Sequence, residues 1–337
     1  MIPWTASKID TANYCEMRYY LTHVEKEKPL RLPVYAKGNL LHDMVDKFWI
    51  KLGTEEEVAK KSSGKKYSNA EEFAEYCQGL WMSNVIASKN SKNPIQWSYD
   101  DEKWVIRSKL KSICLPLYPI LITEKPPILS EISFNFVILG RKFRGRIDAV
   151  IQMDGRIIIR DFKSGYPVMG EMRLRNDPQM TLYDIGLCSL CCSDDEIARK
   201  LGLMEERKKF MGNLFYINPD FVEEYFMIEA PYINLKENRS LPVKNPTTRR
   251  DEHFFEIMKR IDGIEKMINE GEITAERGKK CDFCDVKYAC DKRLEKVGIG
   301  HLEDKIGQGF FSYAIPSYMR NDGQKDLFRQ KTFRFKK

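Results

Sequence analysis

Gly145-Arg146-Ile147-Asp148-Ala149-Val150 and, thirteen residues after Asp148, Asp161-Phe162-Lys163-Ser164-Gly165 are the two stretches on which the reading of this chain turns. Each sits in a run of β-branched and aromatic residues, Phe143 to Met153 and Arg156 to Phe162, a composition that favours strands. Between the runs stands Asp154-Gly155, a pair suited to a two-residue hairpin turn because both positions of such a turn take positive φ. The sequence therefore predicts Asp148 and Asp161 on neighbouring antiparallel strands. Side chains two apart on a strand share a face, so Asp161 and Lys163 point the same way. Alone, Asp-Phe-Lys is an ordinary strand-end ion pair. An Asp within the apolar run after Gly145, however, is costly to bury uncompensated, and a second carboxylate beside it makes a cation the natural partner. A divalent ion on hard oxygen ligands neutralises a phosphate and lowers the pKa of an attacking water. Lys163 beside it would orient or help deprotonate that water, its own pKa lowered by the ion.

Outward from this hairpin, the N-terminal residues 1–53 carry apolar residues at helical spacing around Tyr14 to Leu21 and again around Leu40 to Trp49, which predicts two helices. Residues 54–127 are rich in Lys and Glu and read as a helical insertion. A core of 128–275 opens with a strand over Ile132 to Leu139. After the hairpin it continues with a helix over Pro178 to Leu190, a strand pair near Asn213–Tyr216 and Glu224–Ala230, and a long amphipathic helix over Thr248 to Asn269. Residues 276–302 hold a cysteine cluster, and 303–337 form a basic tail.

With these elements in order, the hairpin resembles the catalytic core of the PD-(D/E)XK nucleases, in particular their RecB-like branch. The resemblance implies an α/β restriction-endonuclease-like core, a mixed sheet flanked by helices. His42, in Gly-Asn-Leu-Leu-His-Asp, falls where those nucleases carry a metal-binding histidine; Gln179 and Tyr183 match their Gln-x-x-x-Tyr motif; Glu131 matches a recurrent acidic position. The implied activity is a metal-dependent DNA exonuclease with Mg or Mn at His42, Asp148 and Asp161, acting on single strands or DNA ends in replication, recombination or repair. The alternative is a noncatalytic DNA-binding adaptor that keeps the fold. No Gly-x4-Gly-Lys-Ser/Thr loop is present, so any helicase motor is a separate protein.

Of nine cysteines, Cys77, Cys114, Cys188, Cys191 and Cys192 lie in or beside apolar runs and read as packing. Cys281-x2-Cys284-x5-Cys290 is too dense for packing, and thiolate sets suit zinc or an iron–sulfur cluster, between which spacing does not choose. The fourth ligand could be Cys15, His301 or one of Cys188 to Cys192. The resemblance to cluster-bearing RecB-like nucleases implies Cys15 and a structural [4Fe–4S] cluster.

A net charge of +7 is mild, and eight basic against two acidic residues from Lys305 onward supply most of it. That favours a polyanionic partner without identifying one. Gln324-Lys325-Asp326-Leu327-Phe328 resembles the peptide by which replication proteins dock on sliding clamps, with Gln324, Leu327 and Phe328 as contacts. With neither a signal-peptide profile nor a stretch long and apolar enough to span a bilayer, an intracellular location without membrane contact is expected.

Overall fold

The computed structural model describes residues 3–52, 67–164, 177–228, 233–234, 239–240, 242–276, 281, 284–296 and 332–335. Gly165, His301, Gln324, Leu327 and Phe328 lie outside the described residues. The chain divides into two units that do not follow its linear order: Met1–Ala6, Val34–Ala87 and Trp104–Ile257 form one; Ser7–Pro33, Ser88–Lys103 and Met258–Lys337 form the other. No helix among the described residues is long and apolar enough to cross a membrane.

In order, the elements are helices α1 (Ala6–Tyr14), α2 (Glu16–Tyr19), α3 (Pro33–Leu52), α4 (Ala70–Lys89) and α5 (Glu102–Thr123), then strands β1 (Leu129–Ile138), β2 (Arg141–Met153) and β3 (Arg156–Lys163). Helices α6 (Pro178–Ser193), α7 (Asp195–Lys200) and α8 (Arg207–Met211) follow, then β4 (Phe221–Met227), β5 (Ile233–Asn234), β6 (Arg239–Ser240) and β7 (Val243–Thr247). Helix α9 (Asp251–Glu270), β8 (Ile273–Glu276), α10 (Lys287–Lys296) and β9 (Thr332–Phe335) complete the chain.

The first unit is built on a five-stranded sheet, β1-β2-β3-β4-β7, in which β3 and β4 are parallel and the other pairs antiparallel. Two-residue turns close both hairpins: Asp154-Gly155 has φ of 51° and 76°, and Leu139-Gly140 has 52° and 74°. The segment crossing from β3 to β4 contains α6, which packs on β1 to β4. Phe134 of β1 fixes that approach. A Cβ at Gly145 or Gly186 would come within 2.4 or 2.5 Å of its ring, so the glycine of the Gly-Arg-Ile-Asp stretch is a packing requirement. The helices of the predicted insertion join the same core: Phe48 of α3 lies 5.3 Å from Phe73 of α4 and 6.0 Å from Tyr118 of α5.

Three local expectations differ from the structure. Residues Asn213 to Tyr216 form no strand; Phe215 instead packs 4.4 Å from Phe254, and Tyr216 lies 5.0 Å from Phe210. Alternating aromatics imitate a strand whenever they anchor a loop to two sides. The helix expected through Tyr14 to Leu21 breaks at Cys15, whose backbone is extended at φ −166° and ψ 116°. A strand within the tail was missed: β9 pairs antiparallel with β8, from Ile273↔Phe335 to Glu276↔Thr332. Pairing partners so far apart leave no local signature.

Asp184 of α6 and Glu223 of β4 are both fully buried and meet between helix and sheet. A carboxylate has no hydrogen to donate, so the two bond only when one carries a proton. Burial drives both upward, Glu223 from its ordinary 4.5 to about 7. Such a group binds its proton more tightly folded than unfolded, so the stability it contributes is full below about pH 4.5 and lost as pH rises to about 7. Denaturant titrations from pH 5 to 8 should show wild type losing on the order of 1 kcal/mol per pH unit more than Glu223→Gln. Parallel slopes for the two proteins would refute the raised Glu223 pKa.

Candidate active site

Helix α3 reaches β3 through Gly38, where a Cβ would stand 2.7 Å from Ser164 Oγ. One turn on, His42 Nδ1 lies 3.3 Å from Asp148 Oδ2, and its ring meets Phe162 edge-on. The β2–β3 register runs from Met153↔Arg156 to Ala149↔Arg160, so the next pair would be Asp148 and Asp161. There the Asp148 side chain intervenes: its Oδ2 accepts the Phe162 amide at 2.9 Å. That bond holds the carboxylate beside β3.

Helix α6 begins at Pro178, whose fixed φ suits a first helical turn, behind Asp177, whose carboxylate accepts the Gln179 amide at 2.9 Å. This cap aims Gln179 at the hairpin. Lys163 Nζ donates to Gln179 Oε1 at 2.7 Å, while Gln179 Nε2 donates to Asp161 Oδ1 and to Tyr183 Oη, each at 2.6 Å. An ammonium can only donate and a carboxylate only accept, so the neighbours fix the orientation of the Gln179 amide. Lys163 Nζ also stands 2.8 Å from Asp161 Oδ2 as an ion pair, and among the described residues that buried oxygen meets no other donor. His42, Asp148, Asp161, Lys163, Gln179 and Tyr183 are thus brought together.

Glu131 lies apart from this chain of bonds. In the β1–β2 register it falls opposite Asp148, between Ser130↔Ala149 and Ile132↔Ile147, and its carboxylate pairs with Arg146 at 2.6 Å. Its φ of 52° is left-handed, a strain of about 1–3 kcal/mol for a residue with a side chain. The sequence reading missed Asp46, one turn beyond His42, which accepts the Ser130 hydroxyl beside the Asp148 carbonyl. Its i, i+4 spacing from His42 was the available signal. Asp177 and Tyr225 were missed too, the latter with its ring 5.7 Å from Lys163 Nζ.

The electrostatics follow from burial among these charges. Asp161, 1% exposed, is pushed up to about 7 by burial, which the Asp148 charge reinforces and Lys163 only partly offsets. Burial works to lower His42, but its hydrogen bond to Asp148 and the charges of Asp148 and Asp161 carry it upward. Lys163 also rises: burial opposes its charge, while Asp161, Asp177 and Asp148 favour it. The lowered amine pKa expected from sequence concerns the ion-bound site; without the ion, the protein's own carboxylates act in the opposite sense.

Among the described residues no three His, Cys, Asp or Glu side chains form a ready metal-ligand set. Asp161 faces Gln179, Tyr183 and Lys163 instead. The donors still suit a hard divalent ion: two carboxylates and an imidazole, with one buried oxygen that among the described residues meets no donor but Lys163.

Cys15, Cys281, Cys284 and Cys290 all belong to the second unit, are partly exposed and form no disulfide. Their segments meet, α10 packing on α2, with Arg18 paired to Asp285 at 2.9 and 3.0 Å. Burial pushes the Cys284 thiol up to about 11. Cys77, Cys114, Cys188 and Cys191 are buried, and Cys192 is partly exposed.

Asp148 on β2, Asp161 and Lys163 on the adjoining β3 and Gln179 on the next helix form one cluster, with Gln179 bonded to Asp161 and Lys163. The chain matches the PD-(D/E)XK nuclease superfamily over residues 3–291 and belongs to it. It is 26% identical over 168 residues to the Gene 69 protein of Mycobacterium phage L5; the match takes in 50% of this chain and 46% of that protein, so the chain spans about half of that relative's length. Against the crystal structure of SSO0001 the identity is 12%, with 77% of this chain and all of that chain covered, at a TM-score of 0.29.

Proposed function

We propose that this protein is a metal-dependent deoxyribonuclease of the RecB-like branch, an exonuclease acting on single-stranded DNA or DNA ends during replication, recombination or repair. The observation that carries the reading is Gln179 bridging Lys163 and Asp161 next to the Asp148–His42 pair. A glutamine spent on holding an amine against a carboxylate positions both for one task. His42, Asp148 and Asp161 would hold Mg or Mn, which when bound would supply an activated water and neutralise charge on the scissile phosphate. Lys163 orients the attacking water and balances charge developing on the phosphate; Tyr183 supports Gln179 from below. Glu131 restrains Arg146 at the rim. Cys15, Cys281, Cys284 and Cys290 carry a structural [4Fe–4S] cluster, and any motor or sliding clamp is a separate partner, the latter met by Gln324, Leu327 and Phe328.

The test is degradation of end-labelled linear DNA, single- and double-stranded, with either end blocked, by anaerobically purified protein in Mn²⁺. Loss of linear single strands, stopped by blocking one end, is expected. Circular single strands cut as fast as linear ones would overturn the exonuclease, and inertness toward every DNA would overturn the nuclease.

Because Asp161 holds its proton to about pH 7, the ion must displace that proton below neutrality. Mn²⁺ affinity, followed by the loss of its free paramagnetic resonance signal, should rise by about tenfold or more per pH unit between pH 5.5 and 7, because His42, whose pKa is also raised, must shed a proton as well as Asp161. A pH-independent affinity would show the ion bound without Asp161.

A further inference from the structure

The outer face of α5 has no part in the site described above, and its chemistry is one-sided. Ile106, Leu110, Ile113, Cys114, Leu117 and Leu121 are buried and fix the inner face. Trp104, Arg107, Lys109 and Lys111 stand exposed on the outer side. Trp104, Arg107 and Lys111 follow at spacings of three and four, which places them on one stripe. From Trp104 to Thr123 the chain contains no Asp or Glu. Glu102 opens the helix, so the acid sits in its first turn, and Arg107, Lys109 and Lys111 follow in the next two turns with no acid among or after them on α5.

Trp104 is 46% exposed, and the Arg107 guanidinium lies 5.7 Å from its ring centroid. The stacked cation orients the indole and leaves ring surface open. The backbone below is braced, since Gln78 Nε2 of α4 donates to the Arg107 carbonyl at 2.9 Å. An open aromatic face flanked by cations at helical spacing matches the two needs of a single strand, a plane for a base and charge for its phosphates. A duplex, with its bases already stacked, offers the indole nothing.

Resting on the nuclease reading for its substrate class, we propose that the Trp104–Arg107–Lys111 stripe of α5 is a docking surface for single-stranded nucleic acid that holds the strand outside the cleavage site. Charge complementarity selects the occupant, and the indole selects the unpaired form.

The test uses the full-length protein carrying Asp161→Asn, in EDTA, with a fluorescein-labelled oligothymidylate and a blunt duplex of equal length as probes. Trp104→Ala should weaken oligothymidylate binding by roughly five- to a hundredfold, and Trp104→Phe should recover most of it. Joint Arg107→Ala and Lys111→Ala should lower the slope of log affinity against log salt by about 1.4, the share of two phosphate contacts on a single strand. Oligothymidylate affinity unchanged by all three variants overturns the proposal, as does an equal loss on oligothymidylate and duplex with Trp104→Ala. Cleavage by the protein without Asp161→Asn is scored separately: wild type that cuts DNA while the stripe variants bind normally sinks this surface alone, and wild type that never cuts sinks the nuclease reading alone.

Discussion

Asp161→Asn and Lys163→Ala should each reduce Mn²⁺-supported DNA cleavage by about a thousandfold or more, within the range of effects for groups that bind the ion or move a proton. Asparagine keeps the size of Asp161 and can still accept the Gln179 Nε2 hydrogen, so the bridge survives while one anionic ligand is lost. Lys163→Ala acts differently. It removes the cation 2.8 Å from Asp161 Oδ2, leaving a buried carboxylate with less to offset its desolvation, so the proton on Asp161 tightens and the ion binds more weakly. Part of the Lys163→Ala defect should therefore be recovered at higher pH or higher Mn²⁺, whereas that of Asp161→Asn should not. Lys200→Ala, which opens only the exposed pair with Glu196, is the control and should cleave as wild type does. Melting temperatures guard against simple unfolding: in Asp161→Asn the relief of a carboxyl that burial disfavours is set against a Lys163 charge left without its nearest partner, and the variant should remain folded at the assay temperature. Equal product from wild type and both variants would remove this site as the catalytic centre.

The parts of this centre that were legible are those made by residues close in sequence. Asp148, the Asp154-Gly155 turn and Asp161 lie in one hairpin, so register follows from strand alternation and turn type alone. Lys163 follows from Asp161 by parity. Gln179 and Tyr183 show an i, i+4 pair on a helix, but nothing in that spacing says which strand the helix will cover; their role came through resemblance, and the structure supplies the bonds. Asp46 left only its spacing from His42 as a signal, and Asp177 and the strained backbone of Glu131 left none, because each matters through an element packed against it: Asp46 through Ser130, Asp177 through the start of α6, Glu131 through Arg146. Phe215 and Tyr216 misled for the complementary reason, since an aromatic repeat gives the same pattern in a strand and in a loop packed on two sides. The direction of the Lys163 shift required a count of the neighbouring carboxylates, which only the fold provides.

Loss of the proposed cluster should have the largest effect on stability. Anaerobically purified wild type should be brown and contain iron with acid-labile sulfide, and Cys15→Ser or Cys284→Ser should lose both. The second unit already draws its distant segments together. Arg18 grips Asp285 with two bonds, Glu16 accepts the Thr274 amide at 2.8 Å, and the Leu30 amide donates to the Asp285 carbonyl at 2.8 Å. Arg18 follows Cys15 by one helical turn and Asp285 adjoins Cys284, so these clasps bring the lone cysteine's segment to the clustered ones. They are partly exposed polar contacts, each worth about 1 kcal/mol or less. A cross-link between Cys15 and the later cysteines closes a loop of most of the chain, and by the chain-entropy argument it restricts the unfolded state by on the order of 5 kcal/mol. For a chain of this size that corresponds to a fall in melting temperature of roughly 5–10 °C when the cluster is removed. Cys77→Ser, at a buried packing position, should change stability without changing the iron-to-protein ratio. Colourless wild type holding zinc would replace the cluster with a thiolate zinc site, and Cys15→Ser that keeps its full iron would exclude Cys15 as a ligand. The second result would leave the Arg18–Asp285 pair and the Glu16–Thr274 and Leu30–Asp285 bonds to hold the two segments, and Asp285→Asn would then be more damaging than Cys15→Ser.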